Sequence, residues 1–447
     1  MKSKELNNKW LDKDRERYLL DPKNAVIRHA LSENVLDYVV QSHDKIEDTP
    51  FVFSIDIDTL PVTNQKRSGR CWIFSACNVL REIIAKKARI KGQFEISQNF
   101  IAYYDKLEKF NYFAQSLIDL VEQGAKHDDR KVATLLSGVG DGGQWQMFVN
   151  LVKKYGIVPK NVFPETYQSS STANSNQLCN SALREFAAKI FKSWEANQDH
   201  DKLMKLKEDF FDKIYAIITS SFGVPPQTFD FEYIDKDSKY QIETGLTPLD
   251  FFNKYIGEDI DDFVSVINAP TKDKEYGKTY SIEYVGNVYG GKPVTHLNLS
   301  FDRMEKAIIQ QLKDGEIVWF GSDVTYFGDR EKGIWDIQGF DYLTPFGVNK
   351  VFDKADMLDF YQSAMNHAMC IVGVNLKKGK PIRWKIENSW GSASGESGMY
   401  LMSESFFKAF TYQVAIRKKY LTPEELAALE EEAKLLPPWD PFGTLAD

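Results

Sequence analysis

The stretch NQKRSGRCWIFSA, residues 64–76, decides the fold of this chain. Its first seven residues are polar and include a glycine, which is typical of a turn. From Cys71 the sequence runs on as CWIFSACNVLREIIAKKARIKG, whose apolar residues recur at helical spacing. We therefore predict that Cys71 begins a long, buried helix. At the N-terminus of a helix, unpaired N–H groups favour a thiolate. A buried structural cysteine is the alternative, and Cys71 alone does not exclude it.

Three further side chains complete a possible catalytic set. His367 stands in NHAMCIVGV before an apolar strand, and Asn388 stands in WKIENSWG after another. Gln65 precedes Cys71 by a short polar turn. A core histidine, a turn asparagine and a surface glutamine would explain each residue separately. With Cys71 as the nucleophile, these three residues supply a base, a group that orients the base and an oxyanion donor. Cysteine catalysis requires all four functions.

Composition limits the alternatives. A chain of 447 residues is too long for one core, and 43% hydrophobic residues suffice for a dense interior. The net charge of −8 argues against nucleic-acid and anionic-membrane partners. The four cysteines contain no C-x-x-C pair, and no metal or organic cofactor is expected. The charged residues 1–20 do not form a signal peptide, so we expect a cytoplasmic protein without a membrane span.

Periodicity divides the chain into five parts. We expect an N-terminal arm over 1–60, a helical lobe with the nucleophile over 61–165 and a helical insertion over 166–280. A β-rich lobe with His367 and Asn388 follows over 281–420, and a helix and tail over 421–447. Strands are predicted near 280–285, 294–299, 316–324, 368–374 and 382–387. The capping box that begins at Thr422 predicts a helix that ends near Leu435.

The motifs quoted above resemble the aminopeptidase C / bleomycin hydrolase family of papain-like cysteine peptidases. DGGQWQMFVNLVKKYGIVP at 141–159, WFGSDVTYF at 319–327 and PPWDPFGTLAD at 437–447 extend the resemblance over most of the chain. The resemblance implies an α+β, papain-like two-lobed fold, with the cysteine on a helical lobe and the histidine and asparagine on an antiparallel sheet lobe. Ser68 replaces the cysteine that forms a disulfide in secreted relatives.

The resemblance also implies a role for each site residue. Cys71 would be the nucleophile, His367 the base and acid, and Asn388 the residue that orients the histidine. Gln65 would donate to the oxyanion, and Trp390 would cover the bond between Asn388 and His367. Gly142 and Gly143 would line the substrate, although a plain helix-entry loop is the alternative for both.

The resemblance gives the tail a role in specificity. In that family the tail enters the cleft, and a terminal carboxylate anchors the α-ammonium of a peptide substrate, which yields an aminopeptidase. Here Ala446 or, without trimming, Asp447 would supply that carboxylate. A homohexamer is implied in the same way.

Other functions stay open at this point. A papain-like endopeptidase of the same fold is the first alternative, and a Cys–His acyltransferase or a non-catalytic binding protein is the second. Residues 138–143 also fit the pattern G-x-G-x-x-G, but the βαβ alternation of a dinucleotide-binding fold is missing.

Overall fold

A computed structural model describes residues 5–47 and 49–446. Its α-helices are α1 (Asn8–Leu20), α2 (Pro22–Glu33), α3 (Leu36–Val40), α4 (His43–Glu47), α5 (Cys71–Lys87), α6 (Gln98–Glu122), α7 (Arg130–Leu136), α8 (Trp145–Tyr155), α9 (Ala173–Asn197), α10 (His200–Phe222), α11 (Pro248–Tyr255), α12 (Phe301–Lys313), α13 (Leu343–Phe346), α14 (Lys354–Asp359), α15 (Glu404–Phe410) and α16 (Pro423–Leu429). Its strands are β1 (Ile55–Asp56), β2 (Phe229–Ile234), β3 (Tyr240–Leu246), β4 (Phe263–Ile267), β5 (Thr279–Ile282), β6 (Thr295–Asn298), β7 (Val318–Ser322), β8 (Gly328–Asp329), β9 (Ile334–Trp335), β10 (His367–Lys377), β11 (Lys380–Glu387), β12 (Met399–Ser403), β13 (Thr411–Arg417) and β14 (Lys434–Leu436).

One large, mostly antiparallel sheet organises the second half of the chain. Within the described residues it has 12 strands, in the order β14-β5-β6-β4-β13-β7-β10-β11-β12-β9-β8, with β1 also paired to β10. Strands β2 and β3 form a separate hairpin. The α+β class predicted from the sequence is confirmed, with the cysteine on a helix and the histidine and asparagine at strand ends.

Strand β10 lies between two hydrophobic cores. Its residues alternate, so that Ala368 and Cys370 pack with α5, α6 and α8, whereas Met369 and Ile371 pack with α12 and α15. A strand that is buried on both faces requires a nearly continuous apolar run, which HAMCIVGV supplies. The start of β10 is therefore held firmly against the helical side of the molecule.

Helix α5 is joined to the sheet by buried polar contacts. The guanidinium of Arg81 lies 2.8 Å from the carboxylate of Glu387, and Asn78 Nδ2 donates to the same carboxylate at 2.7 Å. Burial raises the pKa of Glu387 to about 7, while the charge of Arg81 acts in the opposite direction. Because Glu387 directly precedes Asn388, these contacts set the position of the asparagine relative to the helix that carries Cys71.

The predicted strands are all present with shifted ends, but two regions differ from the sequence-based expectation. The last helix ends at Leu429 instead of near Leu435, and residues 434–436 form β14 alongside β5. Pairing with β5 prevails there over the local helical tendency of EEEAKLL. The range 166–280 holds the long helices α9 and α10, but also the hairpin β2–β3 and β4, which joins the main sheet beside β13. The division into five parts stays a prediction.

Among residues 5–47 and 49–446, no helix is both long and apolar enough to cross a membrane.

Buried His296 predicts a pH-dependent stability. His296 Nδ1 and Ser265 Oγ form a hydrogen bond of 2.7 Å. Burial lowers the pKa of His296 to about 3. In the unfolded chain the pKa of this histidine is about 6.5, so it takes up a proton there at a higher pH than in the folded protein. The contribution of neutral His296 to stability is therefore complete above pH ~6.5 and is lost as the pH falls toward 3. We expect the stability advantage of the wild type over His296→Gln to shrink by on the order of 4 kcal/mol between pH ~7 and ~3. Urea unfolding measures it.

The control for this prediction is His200→Gln. The hydrogen bond to Glu122 raises the pKa of exposed His200, so its small contribution is present at low pH and lost as pH rises. The two variants should therefore respond to pH in opposite directions. A pH-independent difference between wild type and His296→Gln would contradict the prediction.

Candidate active site

Cys71 lies at the contact between helix and sheet. It is the first residue of α5 and its side chain is buried. The N–H of Ala368, the second residue of β10, donates to Cys71 Sγ at 3.3 Å. Ser75 Oγ donates to the Cys71 carbonyl at 2.8 Å, one helical turn further on. The thiol therefore sits where a helix N-terminus meets the first residues of the strand that carries His367.

His367 and Asn388 are hydrogen-bonded to each other. His367 Nε2 lies 2.9 Å from Asn388 Oδ1, an oxygen that also accepts from the Ser389 N–H at 2.8 Å. An oxygen acceptor places the proton on Nε2 and leaves Nδ1 as the basic nitrogen of the neutral ring. Trp390 stacks on the imidazole with ring centroids 4.9 Å apart. Burial lowers the pKa of His367 to about 4, while the Asn388 hydrogen bond acts in the opposite direction.

Gln65 is tied to the residue that follows Asn388. Its backbone N–H donates to the Ser389 carbonyl at 2.8 Å, and its side-chain oxygen accepts from Ser389 Oγ at 2.6 Å. Its side-chain nitrogen donates to the Ser68 carbonyl at 2.7 Å. That nitrogen carries two protons, and the Ser68 carbonyl accepts one of them.

Gly143 contacts both the nucleophile helix and the tail. Its N–H donates to the Ala446 carbonyl at 3.1 Å, and the Ala446 N–H donates back to the Gly143 carbonyl at 3.3 Å. A Cβ at Gly143 would lie 2.4 Å from the ring of Trp72, so only glycine permits this approach. Gly143 therefore contacts both Ala446 and Trp72, the residue that follows Cys71. Asp447 lies outside the described residues.

A buried charge cluster supports the segment that contains Gly143, and the sequence analysis missed it. Lys106 Nζ lies 2.6 Å from the Asp141 carboxylate, and Lys109 Nζ donates to the Gly142 carbonyl at 2.6 Å. Asp141 also accepts from the Gly69 N–H at 2.9 Å, in the turn before α5. Burial alone would raise the pKa of Asp141, but Lys106 and hydrogen bonds hold it well below its usual range. Nothing in the spacing of these lysines distinguishes them from ordinary exposed helix charges.

The tail is anchored at several further points that the sequence did not predict. Gln144 Nε2 donates to the carbonyls of Phe442 and Thr444 at 3.0 and 2.9 Å. The ammonium of Lys274 lies 2.8 Å from the carboxylate of Asp440, and both side chains are buried. These contacts hold residues 440–444 in place next to the segment that contains Gly143.

Direct contacts link several residues of the predicted site. Cys71 contacts the residue after His367, and His367 contacts Asn388 and Trp390. Gln65 contacts the residue after Asn388, and Gly143 pairs with Ala446. Beside the tail a cavity of about 680 Å³ opens, lined by residues that include Gly140, Asn176, Asn180, Met365 and Leu445. The cavity is large enough to hold part of a peptide.

Comparisons with known proteins find relatives that match nearly the whole chain. Residues 5–443 match the Peptidase C1-like family. Aminopeptidase C of Streptococcus thermophilus is 43% identical over 431 residues, which cover 96% of each chain. Aminopeptidase G of Lactobacillus delbrueckii subsp. lactis is 40% identical over 421 residues, 94% of this chain and 95% of the relative. The crystal structure of PepW from Lactobacillus rhamnosis HN001 superposes with a TM-score of 0.95 at 42% identity, covering 99% of this chain and 100% of that one.

Proposed function

The chain belongs to the Peptidase C1-like family and is a cysteine aminopeptidase, and we propose that Cys71, His367 and Asn388 carry out its reaction. We further propose that its C-terminal segment restricts cleavage to the free amino ends of peptides. The observation that carries this proposal is the backbone pairing of Ala446 with Gly143, the glycine that packs against Trp72 next to Cys71 in the chain.

The proposed reaction follows from the positions of the polar groups. In the proposed reaction Nδ1 of His367 takes the thiol proton of Cys71, and the sulfur attacks the scissile carbonyl carbon. The negative oxygen that forms accepts hydrogen bonds from the Cys71 N–H and the second amide proton of Gln65. The protonated imidazole then gives its proton to the leaving amine, and the C–N bond breaks. Water, deprotonated by His367, hydrolyses the thioester and releases the cleaved residue.

Asn388 and Trp390 would keep the imidazole in its working orientation. The Asn388 oxygen holds the Nε2 proton, so the ring cannot turn without losing a buried hydrogen bond. The Trp390 ring covers one side of the imidazole and keeps water away from that bond.

The tail would act by occupying the place of a longer substrate. An extended peptide binds a glycine-rich wall through backbone hydrogen bonds, and Ala446 already forms that pair with Gly143. A carboxylate at the following residue, Asp447, would pair with the α-ammonium of the substrate. A substrate with a blocked amino terminus would have no positive charge to pair with this carboxylate. A peptide that extends beyond its first residue on this side of the scissile bond would collide with the tail.

We propose that the enzyme works in the cytoplasm as a homo-oligomer, a hexamer by resemblance to its family. Each of the four cysteines, all of them among the described residues, is a thiol and not half of a disulfide, which fits a reducing compartment. Helix α1 buries none of its side chains, and Leu11, Leu20 and Val26 on α1 and α2 are exposed. Apolar side chains on an arm of this kind would be covered by a second copy of the chain.

A pair of matched peptide amides tests the exopeptidase assignment. We expect kcat/KM for the form with a free amine to exceed that for its N-acetylated form by about 100-fold or more, because acetylation removes the charge that the tail carboxylate binds. Equal cleavage of the two forms would instead identify an endopeptidase of the same fold.

A further inference from the structure

Arg330 lies at the tip of a hairpin that borders the proposed active site. It stands between β8 and β9, and β9 pairs with β12 of the main sheet. The hydroxyl of Tyr400 donates to the Arg330 carbonyl at 3.2 Å, which ties the tip of the hairpin to the same sheet. The backbone of Arg330 is therefore positioned by the lobe that carries His367 and Asn388.

The guanidinium of Arg330 rests on the tryptophan that covers the histidine. Its Cζ lies 4.4 Å from the centroid of the Trp390 ring, and Trp390 in turn stacks on His367. The Arg330 side chain is exposed, and among residues 5–47 and 49–446 no carboxylate lies within ion-pairing distance of it. Stacking on the indole orients the planar group and leaves its N–H edge available to a ligand.

The charge of Arg330 is unfavourable for the reaction in the empty site. A cation near His367 adds to burial in lowering the pKa of the imidazole, yet the reaction requires that ring to take up a proton. An anion bound to the guanidinium would cancel this effect at the moment when the substrate is present.

The direction of the reaction determines which part of a substrate reaches Arg330. The tail occupies the Gly143 side of the cleft, and His367 must deliver its proton to the leaving nitrogen. The leaving residues therefore lie on the side of His367 and Trp390. In a di- or tripeptide the C-terminal carboxylate follows the leaving nitrogen within one or two residues, a reach of about 4–7 Å.

We propose that Arg330 binds the C-terminal carboxylate of the leaving product, so that di- and tripeptides with a free carboxylate are the preferred substrates. This inference rests on the proposed function, because it uses the site of Cys71 and His367. The guanidinium would form paired hydrogen bonds with the two carboxylate oxygens.

A comparison of dipeptide acids with the corresponding dipeptide amides tests this subsite. We expect wild-type kcat/KM for the acid to exceed that for the amide by about 5- to 10-fold, as for a partly exposed charge pair. In Arg330→Gln this ratio should fall to about one, and Arg330→Lys should restore only part of it, since an ammonium lacks the planar fork. The acidic limb of the Arg330→Gln pH profile should also move to higher pH.

Lys350→Gln is the matched control. Lys350 also rests on an aromatic ring, with its Nζ 3.6 Å from the centroid of Tyr342, and the substitution removes the same charge from the chain. This variant should keep the wild-type ratio of acid to amide. A wild type without preference for the acid, or an Arg330→Gln variant that keeps the preference, would overturn the inference.

The test separates failure of this inference from failure of the proposed function. If acetylated and free-amine peptides were cleaved equally, the aminopeptidase assignment would fall. The acid-to-amide ratio could still be measured on either form, and it alone decides the role of Arg330.

Discussion

Replacing Cys71 by serine is expected to lower kcat/KM for a free-amine peptide by at least about 10⁴-fold. A hydroxyl is a far weaker acid than a thiol, and a buried neutral imidazole such as His367 is a weak base. The proton transfer that creates the nucleophile therefore becomes the barrier. Steady-state kinetics with a fluorogenic free-amine substrate measure the loss.

Cys77→Ala provides the matched control for this prediction. Cys77 lies on the same helix α5 and is equally buried, and burial raises the pKa of its thiol, so it stays protonated. This variant should lose stability but keep its activity per folded molecule. Alkylation should modify one fast thiol in the wild type and in Cys77→Ala, and none in Cys71→Ser. A Cys71→Ser variant with a tenth of wild-type activity would remove Cys71 from the mechanism.

Removal of the tail tip is expected to have the second largest effect. Deletion of residues 444–447 takes away the Ala446 backbone that pairs with Gly143. Acetylated and internal peptide segments can then bind the glycine wall, so their cleavage should rise by about 100-fold, while the preference for free amines disappears. Mass spectrometry of the products from one long peptide distinguishes cleavage at the end from cleavage within.

A single substitution tests the same device without shortening the chain. Lys274→Met leaves the buried Asp440 carboxylate without its ammonium, which costs about 3–5 kcal/mol and should release the tail. In Lys274→Met, cleavage of acetylated peptides should rise toward the rate of the variant that lacks residues 444–447. In that deletion variant, adding Lys274→Met should cause no further increase. Lys278→Met is the control, because Lys278 pairs with Glu431 on the exposed surface. Unchanged specificity in both the deletion and Lys274→Met would exclude the tail from substrate selection.

The helix that begins at Cys71 was predictable because its cause is local. Residues within a few positions of one another carry the apolar spacing and the preceding polar turn. The same holds for β10, an apolar run that begins at His367, and for β11, in which polar and apolar residues alternate before Asn388. Helix ends and strand ends are where polar side chains can leave the core, so these motifs also indicated the candidate site.

The strand at residues 434–436 was not predictable from local pattern, and β4 was missed although its sequence FVSVI favours a strand. Both are short, and each is stabilised by a distant partner, β5 for the first and β13 for the second. Such pairing depends on the completed sheet, and at residues 434–436 it overrides the helical preference of the surrounding EEEAKLL.

By itself, the sequence determined the α+β class, the helix that carries Cys71, and the identity of the thiol, imidazole and amides from which a site could be built. Those features depend on neighbouring residues, or on motifs that a family resemblance makes recognisable. Only the tertiary structure decided that Lys106 and Asp141 are a buried pair, that Ala446 lies on Gly143 and that Arg330 rests on Trp390. Each of these joins residues far apart in the chain, and a lysine in a helix or an arginine in a turn has the same local pattern whether it is buried, paired or exposed.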